Sequence, residues 1–571
     1  MILTKRRAAV AATAITVAMI AAACGNGTTE TTVTPGPVET VAPDGNVAEG
    51  GDNFLLPANC PIDAAHTVGA MPDFGVGTHF RATEPITIDL LYRVHAGYPV
   101  MDDWLIWSAF RDSNNVSFNR EDVLFADWDN RRALAVAAGD FPTLVPVVWG
   151  GQDAAWWAGG NLLPVSDYFG CMPNLEHFAQ AWGVQEELDD QRQADGKIYN
   201  LRGFRQSPDI ARSVAVNVDL FEQAGVDIQS IHTFDDLAAA LRQVQDNTDV
   251  DYAWSERWNE QASGPLGAIL EVAGPNFGTS GGWNRNVHVF DHDAGEFVPR
   301  VATDGYRQMV EFFANLRSEG VLDPEITQTD DAAIQKFVNG RSAVISADFT
   351  ALASMRNTAQ EAGTPINAEI IMVPMGPAGD YIAGTQLGPG VVLNSDVRNS
   401  PNFLAILQFL DWLYFSEEGR EFAQWGVEGT TFERDAEGNR VLVGALADDP
   451  RGQTGVLQQD FGFRDGVWMQ NWGGSDDLFT SVMIPEQREW YNAMADRKSV
   501  RPLDPGFALT EAEQEQIGGL TSSVQDATDS GVAQFILGTR PMSEWDAFVS
   551  QIRGAGADQI INTINAAHAR R

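Results

Sequence analysis

A Gly-x-Ser-x-Gly pattern runs from Gly278 to Gly282 and has the spacing of a nucleophile elbow. Such an elbow needs a strand before the serine and a helix after it. Here Gly274-Pro275-Asn276 precedes the motif and the strand-like Val287–Phe290 follows, so the order is wrong for a hydrolase serine. His288 and His292, with Asp291 and Asp293, are metal-ligand types, but four residues along a strand set the imidazoles about 13 Å apart, too far to share one ion. The chain contains no P-loop and no zincin motif. With 78 acidic residues, a carboxylate pair can be drawn almost anywhere, so acid counting does not point to a glycosidase. These residues predict no enzyme, no cofactor and no metal. What remains is non-covalent binding chemistry: the chain has 16 tryptophans, many beside glycine or polar residues in predicted loops.

The elements that must hold such loops alternate in type. Ile86, Ile88, Leu90, Tyr92 and Val94 fall at period two, a strand signal. Residues 101–115 read as a helix and 116–125 as extended chain. Residues 129–151 read as a helix, a Gly-Asp-Phe-Pro break and a short apolar strand. Further on, 213–228 give a strand running into a helix that stops at Gly225. Thr233 and Asp236 have capping-box spacing before an apolar periodic run. Residues 331–349 give a helix, a Gly turn and a strand. Ser400 reads as an N-cap with Pro401 at the first helical position, and Ser543 with Asp546 as another cap. The alternation predicts an α/β architecture with parallel strands, and no internal repeat is visible.

The N-terminus carries an address. Lys5, Arg6 and Arg7 precede an Ala-rich apolar run from Ala8 to Ala23, the length of a signal-peptide core and short for a membrane span. Three alanines stand directly before Cys24, which resembles the lipobox of bacterial lipoproteins, with Ala21 where Leu is usual. The resemblance implies cleavage after residue 23, acylation of Cys24 and attachment to the extracellular face of the cytoplasmic membrane; ordinary secretion and a signal anchor are the alternatives. Residues 24–53 contain almost no large apolar side chain and three prolines, so they read as a disordered tether. Residues 54–83 match no pattern, and the folded body is expected from Glu84. If Cys24 is acylated, Cys60 and Cys171 remain as an even pair in an oxidising compartment, either bridged or as two separate buried thiols. The formal charge of −41 excludes nucleic acid and anionic lipid as partners.

Several segments, in order, resemble the extracellular solute-binding proteins of ABC importers. They are Ala135–Gly151 (helix, Gly-Asp-x-Pro turn, strand), Ala194–Phe204 (the Asp-Gly-Lys-x-Tyr segment, with Asn200 and Arg202 where Gly and Pro are common), Asn217–Leu241 and Phe337–Phe349. The C-terminal stretches 425–441 and 535–570 narrow the likeness to the large carbohydrate branch, which includes aldouronate-type and alginate-type oligosaccharide binders. The resemblance implies a type II two-lobed α/β fold with a hinge and an interlobe cleft. It sets 84–205 and 345–400 in the first lobe and 206–344 and 401–571 in the second. It also implies a monomeric receptor that closes on an oligosaccharide and hands it to a permease; a peptide or other solute, and a surface glycan-processing enzyme, are the alternatives. Aromatic faces would cover the C–H faces of sugar rings and polar groups would satisfy the hydroxyls. The candidates are Trp149, Trp156, Trp283, Trp468 and Trp472, with Gln152, Asp153, Arg205, Asn284 and Asp348. Where some members carry a calcium loop, Asp246, Asp249 and Asp251 stand in a shorter turn without its glycine, which predicts no calcium.

Overall fold

Short runs of β-branched residues, separated by helical stretches, pair into two separate sheets. The computed structural model describes residues 59–208, 210, 212–257, 266–282, 286–449 and 452–571. In chain order the strands of the two sheets are β1 (Ile86–Val94), β2 (Val116–Leu124), β3 (Leu144–Val148), β4 (Asn200–Phe204), β5 (Arg212–Asn217), β6 (Val344–Asp348), β7 (Ala368–Ile370) and β8 (Leu387–Leu393). The first sheet has the order β2-β1-β3-β8-β4. Its first three strands are parallel, in register from Ile86↔Val116 to Val94↔Leu124 and at Leu90↔Leu144. Strand β8 runs antiparallel to both β3 and β4. The second sheet, β6-β5-β7, is antiparallel throughout, so of these two sheets only the first has the expected parallel pairing.

Each sheet has its own core. In the first lobe β1 buries Leu90 and Leu91 on opposite faces, as a sheet covered on both sides requires. Helix Phe403–Phe415 is buried at every position and forms the middle of that core. In the second lobe β5 shares one hydrophobic core with helices Phe234–Asn247, Asp304–Ser318 and Glu511–Ile536. Thr233 and Asp236 make both arms of a capping box on the first of these, worth about 1 kcal/mol to the helix. Among the described residues no helix is long and apolar enough to cross a membrane.

The lobe boundaries differ from those expected. Strand β6 pairs with β5 along its whole length, so residues 344–370 stay in the second lobe and the return comes only at β8. Residues 403–468 pack into the first core, and from Met483 onward the chain belongs to the second lobe. The chain therefore crosses three times, between β4 and β5, between β7 and β8, and at 475–482. A buried apolar strand reads the same in either sheet; its pairing partner decides the lobe.

The body also begins before Glu84. Phe80 and Ala82 are buried in the first core, and Cys60 is disulfide-bonded to Cys171 across 111 residues. His79 Nδ1 lies 2.8 Å from Glu418 Oε1, and Gln408 exchanges hydrogen bonds with the backbone of Met71. Two expected caps shift. The helix after Pro401 begins at Phe403 with Asn402 as N-cap, and Ser400 Oγ accepts from Asn402 N instead. Helix Trp545–Ile552 follows Glu544 without a side-chain cap, because a 3-10 turn over Met542–Glu544 already leads into it.

Candidate ligand cleft

The three crossings lie side by side between the lobes and a cavity of about 300 Å³ opens along the first two. Trp149, directly after β3, supplies its first-lobe wall and is 47% exposed. Its backbone N–H donates to Gln152 Oε1 at 2.9 Å, which fixes the turn that presents the ring. Arg205 enters from the first crossing, one residue after β4. Its guanidinium stacks over the Phe479 ring at 5.2 Å, and its N–H donates to Gln386 O at 3.0 Å. Phe479 belongs to the third crossing, so Arg205 ties all three together.

The opposite wall is built by the second lobe. Arg212 opens β5 and is bracketed by Glu271, on helix Gly267–Ala273, at 3.8 Å and by Asp348 at 3.7 Å. Asp348 also accepts from Ala351 N and so caps helix Phe349–Glu361. Tyr381 sits on the second crossing. Fully buried Asn276 clamps its backbone in both directions, accepting from Tyr381 N at 2.9 Å and donating to Tyr381 O at 2.8 Å. Gly384 of the same crossing passes Pro208 of the first so closely that a Cβ would lie 2.5 Å from the proline Cβ. A second cavity of about 360 Å³ continues past Glu271 and Thr385 toward Asp190 and Arg501. Arg571 pairs with Asp190 at its far side, from second lobe to first.

Arg202, the position where the sequence pattern departs, lies under this floor. It is buried beneath Gly150, donates to Leu387 O and Gln191 Oε1 at 3.0 Å each, and also reaches Gly388 O. Burial lowers its pKa to about 10, which still leaves it charged at neutral pH. A guanidinium can hold several carbonyls of β8 at once, which proline could not.

Of the ten candidate contact residues, the structure brings Trp149 and Arg205 to the cavity. Gln152 and Asp348 stand behind it as positioning groups. Asp153 is 2% exposed and accepts from Gln193 Nε2, and burial raises its carboxyl pKa. Trp156 packs on a small apolar cluster, with Arg132 over its ring at 5.5 Å. Trp472 is half-buried under Arg464, and neither it nor Trp156 lines the two cavities. Trp468 corrects the expectation outright. It is 1% exposed and packed among Phe110, Phe118 and Trp107, because the first sheet folds over it. Trp283 and Asn284 lie outside the described residues. Arg212, Glu271 and Tyr381 were not picked out from sequence; only a knowledge of where the crossings run would have pointed to them.

The catalytic readings meet their structural contexts as well. Ser280 follows helix Gly267–Ala273 and a 3-10 turn, with no strand before it. His288 lies half-buried in a hairpin, where desolvation lowers its pKa to about 4. Asp251 pairs with Arg341.

Comparison with known proteins follows this geometry. The profile described as bacterial extracellular solute-binding protein matches residues 121–420. The polygalacturonan/rhamnogalacturonan-binding protein YtcQ of Bacillus subtilis (strain 168) is 19% identical over 441 residues, 76% of this chain and 82% of that protein. Lipoprotein LipO of the same organism is 22% identical over 274 residues, 46% of this chain and 51% of LipO. The solved structure of alginate-binding protein AlgQ2 without calcium ion matches with a TM-score of 0.63 at 18% identity, covering 86% of this chain and 99% of AlgQ2. At that identity the likeness carries the fold: two α/β lobes joined by a hinge around a cleft.

Proposed function

The chain belongs to the bacterial extracellular solute-binding protein family, and from that premise we propose that it is a lipid-anchored receptor that captures an oligosaccharide between its lobes and delivers it to the permease of an ABC importer. The observation that carries the reading is the half-open Trp149 ring on the wall of an interlobe cavity that also holds Arg205, Arg212 and Glu271. A sugar ring has an apolar C–H face and a rim of hydroxyls. An exposed indole covers the first, and charged or amide groups satisfy the second once water leaves. The crossings give the lobes an axis on which to close.

The ligands printed in the names of YtcQ and AlgQ2 are both carbohydrates, which supports the same class here. The matched family and the similar structures are binding proteins, which supports capture without turnover. Anchoring rests on the run of small residues before Cys24 and on the lipoprotein relative LipO; metabolic labelling with a fatty acid tests it, and Cys24→Ala should abolish the label.

The ligand is tested by a thermal-shift screen of the purified protein against neutral oligosaccharides, acidic oligosaccharides and short peptides. A ligand at a hundredfold over its Kd stabilises the folded state by about 2.7 kcal/mol. A shift with one oligosaccharide class and no product on chromatography supports the receptor reading. A shift with peptides alone overturns the ligand class, and product formation overturns capture as the function.

A further inference from the structure

Among the described residues only two Phe, Trp or Tyr side chains are exposed, Trp149 at 47% and Phe125 at 38%. They stand at the same edge of the same sheet. The register pairs Val94 with Leu124, and β3 runs parallel to β1 on its other side, paired at Leu90↔Leu144. One residue past each strand end come Phe125 from β2, His95 from β1 and Trp149 from β3, in that spatial order. Phe125 and Trp149 are thus two strand spacings apart, about 10 Å. The carboxyl ends of parallel strands are where open α/β sheets take their ligands. Trp149 lines the cavity already described; Phe125 and His95 lie beyond it on the same edge.

We propose that this edge is a second ring-stacking subsite, and that the ligand is a linear oligosaccharide long enough to lay one sugar ring on Trp149 and another on Phe125. The inference rests on the oligosaccharide reading above and deepens it. An isolated exposed Phe needs no explanation, but this one is backed. The Arg93 guanidinium lies over the ring at 5.1 Å, and Arg93 Nη2 reaches Gly466 O and Met469 Sδ at 3.5 Å. One face of Phe125 is therefore held while the ring stays exposed. His95 is stacked on Tyr98 with centroids 4.2 Å apart and planes 11° apart, and Tyr98 Oη donates to buried Asp465 at 3.0 Å. Desolvation, against the opposing pull of the Asp465 carboxylate, lowers the His95 pKa. Rings fixed from behind and open in front lose little freedom when a ligand covers them.

The test is calorimetric titration of the full chain with two homologous series, oligogalacturonates and malto-oligosaccharides, from the disaccharide upward. In the series that binds, wild-type affinity should rise with length. Phe125→Ala should leave the shortest binder unchanged and weaken the longer ones about tenfold, or ~1.4 kcal/mol. Phe125→Trp should keep the length dependence, and Trp149→Ala should weaken every length. A Phe125→Ala effect that is absent, or equal at all lengths, overturns this subsite and leaves the receptor reading intact. Absence of binding by both series overturns the two together, and binding of short peptides instead assigns the edge to another ligand class and overturns it as a sugar subsite.

Discussion

Replacing Trp149 with alanine separates a ligand contact from a packing role. The side chain is 47% exposed in the open cleft, so of the ~250 Å² of a tryptophan about 120 Å² is free to be covered. At ~25 cal/mol per Å², complete coverage is worth about 3 kcal/mol. A sugar ring on one face covers about half of that, some 1.5 kcal/mol. Trp149→Ala should therefore raise Kd between about tenfold and about a hundredfold. The packed part of the side chain contributes to stability, and its loss should cost about 1–2 kcal/mol of folding free energy. Calorimetry well below Tm reads the first effect and urea unfolding reads the second. Trp149→Phe keeps a flat ring and should restore most of the affinity. Wild-type affinity in the alanine variant, for any oligosaccharide the protein binds, would refute the placement of Trp149 in the site. A loss that phenylalanine does not rescue would refute stacking as its cause.

Other substitutions probe the scaffold. Cys60→Ser removes a bridge closing a loop of 111 residues and should lower stability by about 2–5 kcal/mol, read as a shift of the urea midpoint that reductant reproduces in the wild type. Asp411, fully buried, accepts from Asn174 N, Asn174 Nδ2 and Leu175 N at 2.8–2.9 Å and holds the start of helix Pro173–Ala181. Asp411→Asn turns an amide NH₂ toward these donors and should cost about 2–4 kcal/mol, measured by the same unfolding curve. His79 pairs with Glu418 and its pKa is raised, chiefly by that hydrogen bond. Its contribution is therefore fully present below the unfolded histidine pKa of about 6.5 and is lost as pH rises through the higher folded value. Both side chains are 40–50% exposed, so solvent screening keeps the contribution below about 1 kcal/mol. The stability difference between His79→Ala and wild type should shrink to nothing in alkaline buffer; a difference that persists there would mean that packing, not charge, holds the N-terminal segment.

Much of the local structure was legible because it is set by neighbours in the chain. The period-two run of β1, the Thr233–Asp236 capping box and the left-handed glycines Gly225 and Gly320 that follow helices each depend on a few adjacent residues. The family likeness was legible for the same reason, as short segments in a fixed order. Sequence failed where a residue's role depends on distant partners. Trp149 and Trp468 both fall in predicted glycine-containing loops, yet one opens into the cleft and the other is sealed among Phe110, Phe118 and Trp107. Strand β6 looked like the return to the first lobe because its apolar sequence suits either sheet, and only its pairing with β5 excludes that.

By itself the sequence determined the class of the molecule: an acidic α/β body and the aromatic and polar residue types available for binding. These follow from composition, periodicity and short spacings, which need no third dimension. Tertiary structure decided which of those residues meet. Phe125, His95 and Trp149 are spread over 55 positions of chain and come to the same sheet edge only because three parallel strands lie side by side. Arg205, Arg212 and Tyr381 converge only because the chain crosses between lobes at the same place. A side-chain period fixes the face on which a residue lies; hydrogen-bond pairing between distant strands fixes what that face looks upon.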